Sequence, residues 1–149
     1  MKQIEKISEG TSYTALSVGK LCDLNEHVLK LSPEIQIPGK VFLGKALNAT
    51  GAEISFQSFP VGAEVGFVHT HKTHEELYIF VQGKGEFQVD GKIFPISEGS
   101  IVRVDPAPKR TVRNTGTEPL IMICIQYKAE SFSPDDATDG EILGEPVIW

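Results

Sequence analysis

The chain has 149 residues, of which 40% are hydrophobic and 23% charged, the size and make-up of one globular domain. A chain of this length buries roughly two thirds of its unfolded surface, so one core forms without disulfide or metal staples. Fourteen Lys and Arg against twenty Asp and Glu give a net charge of −6, which argues against nucleic acid or an anionic membrane as partner; no apolar run approaches the roughly 18 residues needed to cross a bilayer.

The first ten residues carry Lys2, Glu5, Lys6 and Glu9, which no signal-peptide core tolerates, so a cytoplasmic protein is expected. Residues 1–40 read as an arm, with an apolar cluster at Val28, Leu29 and Leu31 ahead of Pro33 and Pro38. That arm forms an extra strand or packs on a partner subunit. His27 within it has no supporting neighbours and reads as structural or exposed. Cys22 and Cys124 lie about a hundred positions apart without any CxxC spacing, and are expected as reduced thiols. Cys124 falls inside the apolar run 121–125 and reads as a small core hydrophobe.

From residue 41 to about 127 the dominant period is two. Strands are expected over 41–47, 52–57, 76–82, 85–90, 92–94, 100–104 and 120–127. Asp90-Gly91 between two β-prone runs predicts a two-residue hairpin, because a type I′ turn needs positive φ at both central positions. Short strands with turns every eight to twelve residues point to an antiparallel sandwich or barrel, and the lack of intervening amphipathic helices argues against parallel α/β. Residues 128–149 form an acidic, irregular tail ending in Pro146-Val147-Ile148-Trp149, expected to dock on the barrel or across an interface, since a wet terminal Trp is costly.

Chemistry concentrates at residues 66–83, where His69, His71 and His74, three of the four histidines, fall within six positions. Residues i and i+2 of an extended segment share a face, so His69 and His71 present two imidazoles to one point. A short loop then returns Glu75 or Glu76, and the parity of the next strand favours Glu76. Two neutral imidazoles and one carboxylate form a site for Fe(II), Zn, Mn, Ni or Cu.

His69-x-His71-x4-Glu76-x6-Gly83 resembles the first motif of the cupin superfamily, and 99–106 with 110–114 resembles a looser second motif. The resemblance runs over roughly 41–127 and implies an all-β fold, a single-domain double-stranded β-helix or jelly-roll barrel. It also implies a homodimer with the N-terminal segment as an exchanged element, and a divalent transition metal (Fe, Mn, Zn or Ni) on His69, His71 and Glu76. Counting back from Asn114, the family's fourth ligand, a histidine, falls on Arg110, and arginine cannot deprotonate to become a ligand. Arg110 is instead a candidate rim residue for an anionic substrate. His74, Glu75 and Tyr78 are candidate catalytic groups, Tyr78 and Phe80 sharing parity with Glu76.

Three functions follow. The first is a metal-dependent enzyme acting on a small, anionic metabolite, by oxygenase, isomerase or lyase chemistry that the residues do not choose among. The second is a non-catalytic cupin binding a sugar or other metabolite. The third is a dimeric scaffold with a vestigial site.

Overall fold

A computed structural model describes residues 2–149. Twelve strands follow in chain order: β1 (Glu5–Glu9), β2 (Thr14–Ser17), β3 (Val28–Lys30), β4 (Gln36–Pro38), β5 (Lys40–Phe42), β6 (Ala52–Phe59), β7 (His74–Gln82), β8 (Lys84–Val89), β9 (Lys92–Ser97), β10 (Ile101–Val104), β11 (Arg110–Asn114) and β12 (Leu120–Lys128). A one-turn helix, α1 (Gly44–Leu47), separates β5 from β6. Every pairing is antiparallel. The barrel has a five-stranded sheet in the order β10-β7-β12-β6-β5 and a three-stranded sheet β11-β8-β9, the jelly-roll architecture expected.

Alternation along each strand assigns its two faces. Tyr78 and Phe80 of β7, Phe87 of β8, Val112 of β11 and Met122 of β12 point inward and form one buried cluster between the sheets. Ile121 on the opposite face of β12 joins Val41, Leu43, Val18 and Leu24 in a second cluster. The arm therefore does more than add a strand, since its 3-10 turn at Leu21–Glu26 seals the outer face of the large sheet. His27 is structural, buried with its Nε2 3.0 Å from Val18 O.

Two glycines carry turns that other residues fill poorly. Asp90 and Gly91 both have positive φ, at 47° and 83°, as the expected hairpin requires. Gly83 has φ 85°, and a Cβ there would stand 2.6 Å from Pro119 O, so both torsion and space demand glycine between β7 and β8.

Two expectations are corrected. The strand expected over 41–47 stops at Phe42, because Gly44 N–H donates to Glu53 Oε1 at 2.6 Å and Asn48 closes α1 in the left-handed region. The tail does not dock on its own barrel: its 3-10 turn at Pro134–Thr138 is followed by irregular chain, and Ile142, Val147, Ile148 and Trp149 are exposed. No described helix is long and apolar enough to cross a membrane.

Candidate metal centre

His69 and His71 do not lie on a regular strand. They occupy an extended stretch held by an isolated bridge, in which Arg110 N–H donates to His69 O at 3.1 Å and His69 N–H to Arg110 O at 3.3 Å. His71 N–H donates to Pro106 O at 2.8 Å. The i, i+2 relation survives, and both imidazoles face Glu76 on β7. One ligand atom from each of His69, His71 and Glu76 lies within 4.8 Å of the others.

Glu76 is the hub, with 2% of its surface exposed. Its Oε2 accepts from the Tyr78 hydroxyl and lies 3.3 Å from His69 Nε2. Its Oε1 accepts from Gln126 Nε2 at 3.1 Å and from Cys124 Sγ at 3.5 Å. Burial alone would raise this carboxyl, but the hydrogen bonds from His69 and Tyr78, with the charges of the two histidines, outweigh it and hold the pKa at about 2. Burial and the adjacent Glu76 charge push the Tyr78 phenol well above its ordinary range, and burial first, then Glu76, lifts the Cys124 thiol to about 12. Cys124, expected as a core hydrophobe, is buried and unpaired but also touches this hub.

The residues fit a divalent ion. His71 Nε2 stands 3.1 Å from Glu76 Oε1 yet makes no hydrogen bond, leaving a buried ring nitrogen without a partner. His69 Nε2 lies 3.3 Å from Glu76 Oε2 and His71 Nε2 3.1 Å from Oε1, so these three residues would hold such an ion, which would supply Lewis acidity.

Arg110 is corrected. It is not at the rim: its surface is 1% exposed, with Nε 3.2 Å from Glu76 Oε2. Its Nη1 donates to Pro106 O and Pro108 O, both at 3.0 Å, and its Nη2 to Asp105 O at 2.8 Å. These carbonyls hold both Nη atoms, while Nε faces the Glu76 carboxylate without a hydrogen bond, and the guanidinium balances the charge of Glu76. His74 and Glu75 take other positions. His74 is exposed at the start of β7 and paired with Thr73, while Glu75 points to the opposite face, 2.9 Å from Arg103 Nη1. Neither lines the chamber; Tyr78 does.

That chamber, about 660 Å³, opens above the hub between the two sheets. Phe59, Phe87 and Met122 line its inner walls, and Leu29, Leu31 and Ile37 of the β3–β4 hairpin form its roof. Sequence reasoning missed this role of the arm, although the apolar cluster before Pro33 was its signal. Asn114, at the family's asparagine position, holds the loop below: its Nδ2 lies 3.0 Å from Phe59 O and 2.8 Å from Glu118 O.

Residues 55–126 match the Cupin domain family. A cupin protein from Bacteroides fragilis has a similar structure, with a TM-score of 0.66 and 35% identity, the match covering 77% of this chain and 94% of that one. An uncharacterized protein from Methanocaldococcus jannaschii is 31% identical over 84 residues, 56% of this chain and 62% of that one. An oxalate-binding protein from Thermotoga maritima is 32% identical over 66 residues, 44% of this chain and 54% of that one. The matches thus span less than two thirds of these two relatives.

Proposed function

Because this chain belongs to the cupin family, we propose that it is a metal-dependent enzyme, with one divalent transition metal (Fe, Mn, Zn or Ni) on His69, His71 and Glu76 and a small metabolite in the adjoining chamber. The observation that carries this reading is the convergence of three ligand atoms within 4.8 Å, one of them the unpartnered Nε2 of His71. A bound ion supplies Lewis acidity at its open positions.

The chain's own residues bind and orient. Tyr78, Gln126 and Cys124 donate to Glu76 and fix its two oxygens. Arg110 holds the His69 backbone and balances the carboxylate. The apolar roof and walls lower the local dielectric and strengthen polar contacts at the chamber floor. A second reading, capture of a metabolite without turnover, is favoured by the likeness to the oxalate-binding protein.

Protein purified without chelator is expected to carry close to one metal ion per chain by elemental analysis. The double variant His69→Ala/His71→Ala should lose it, with affinity falling at least about 100-fold. Absence of metal from both proteins, even after loading with Fe(II), Mn(II) and Zn(II), sinks the proposal. Turnover of a metabolite panel by the loaded protein separates catalysis from capture. Binding of the ion also weakens in acid, because a protonated imidazole has no lone pair to give.

The homodimer belongs to the same proposal. Exposed Ile7 and Tyr13 on the β1–β2 hairpin, and Val147, Ile148 and Trp149 at the tail, offer apolar surface that a second copy would bury. Sedimentation equilibrium is expected to return twice the chain mass of 16.3 kDa; a mass of one chain at micromolar concentration overturns it. A cytoplasmic location is in keeping with two unpaired thiols.

A further inference from the structure

The family resemblance directs attention to an anionic ligand, yet the guanidinium expected to hold it is engaged elsewhere. Lys40 and Arg110 are the two basic lysine or arginine side chains lining the chamber. Arg110 has carbonyls for partners on both of its Nη atoms. Lys40 differs. It lies on β5 at the edge of the large sheet, and its ammonium has three donors, of which one meets Ser55 Oγ at 3.0 Å. Among the described residues it makes no salt bridge within 4.0 Å. Glu53, the acidic residue on the neighbouring strand, accepts the Gly44 N–H on its Oε1 and makes no hydrogen bond with Lys40.

The setting of Lys40 is unusual for a lysine. Its stem lies in the sheet's inner layer and its ammonium sits over the Phe42 ring, 4.8 Å from the centroid. Burial lowers its pKa, the mark of a cation held away from water without full compensation. A polar row connects it to the metal centre across four adjacent strands: Lys40 to Ser55, Ser55 Oγ to Cys124 O at 3.5 Å, and Cys124 Sγ to Glu76. Around this row the chamber is apolar, and its volume is that of a site for a drug-sized organic molecule, well beyond the needs of a two-carbon dianion.

We propose that Lys40 anchors the carboxylate of an apolar-bodied monoanion, whose hydrocarbon lies along Phe59, Met122 and the β3–β4 roof beside the His69–His71–Glu76 centre. The inference rests on the reading of this chamber as the ligand site, and it names the class of ligand. One ammonium with unpartnered donors matches one negative charge; in the metal-free protein a dianion such as oxalate would leave its second charge against hydrocarbon, which is costly.

Calorimetric titration of the metal-free protein with three probes tests this: octanoate, its uncharged counterpart octanamide, and oxalate. Wild-type protein should bind octanoate at least 10-fold more tightly than octanamide, and oxalate most weakly. Lys40→Met keeps the length and apolar volume of the stem but removes the charge, so it should erase the preference for octanoate while leaving octanamide within twofold. Lys40→Arg should retain the preference, and serves as the informative variant if Lys40→Met fails to fold. No binding of octanoate, tighter binding of oxalate, or an unchanged preference in Lys40→Met each overturns the assignment. His69→Ala/His71→Ala keeps the two proposals apart: a Lys40-dependent preference that persists there leaves the anchor standing whatever metal analysis of the wild type returns, and its loss there overturns the anchor.

Discussion

Replacing Arg110 by methionine should destabilise the metal-free protein by about 3–5 kcal/mol, the cost of breaking a buried ion pair by removing one partner. The expectation follows from burial and from the number of groups abandoned. Glu76 would lose the fixed charge 3.2 Å from its Oε2, and the carbonyls of Asp105, Pro106 and Pro108 would lose their donor inside the loop. For a chain of this size the melting temperature should fall by roughly 10 °C or more. An arginine at the rim, the expectation from sequence, would change stability by no more than about 0.5 kcal/mol. Urea unfolding at neutral pH decides between them, and a loss below about 1 kcal/mol rejects the buried clamp described here. Arg110→Lys should rescue little, because a point charge cannot fork onto several carbonyls at once. Arg110→His should also lose stability without metal, yet gain affinity for the ion, since it restores an imidazole at the family's fourth ligand position.

The contrast between expected and observed Arg110 shows which information the chain carries locally. Strand parity was legible because one face of each strand is buried: Glu76, Tyr78 and Phe80 point inward together, and Ile121 points outward between Leu120 and Met122. The cluster of His69, His71 and Glu76 was legible from spacing alone, even though the histidines lie on a bridged loop rather than a strand. The same parity places Glu75 on the outer face, opposite Tyr127, where it meets Arg103. His74 shares the parity of Glu76 but stands at the strand's exposed first position, beyond the chamber wall.

What was not legible is tertiary. A guanidinium becomes structural when a distant loop supplies carbonyls, and nothing in 105–110 as a string says that Pro106 and Pro108 turn theirs inward. Residues 41–47 look β-prone, yet Glu53 captures the Gly44 N–H from across the turn and winds one turn of helix. The arm's hairpins depend on contacts with the large sheet and the chamber roof, so their apolar residues carry no clean period. Lys40 is the sharpest case. In sequence it is an unremarkable charge after a glycine, and only the closed barrel reveals that its ammonium lies inside.

Acid should expose how much the fold depends on Glu76. Its carboxyl titrates near 2 in the folded protein against an ordinary value of 4.5, so the folded state holds fewer protons than the unfolded state between those limits. A depressed carboxyl stabilises above its unfolded pKa, and that contribution disappears as the pH drops from about 4.5 toward 2. At 1.36 kcal/mol for each pH unit, the whole contribution is about 3 kcal/mol. Glu76→Gln abolishes this dependence and leaves Arg110 without its counter-charge, so the variant should be less stable at neutral pH and should lose stability less steeply between pH 4.5 and 2. Urea unfolding of the metal-free proteins across that window measures both slopes. Parallel curves for wild type and Glu76→Gln would mean that the carboxylate is not held ionised by His69 and Tyr78, and would remove the electrostatic basis for reading it as the centre of the site.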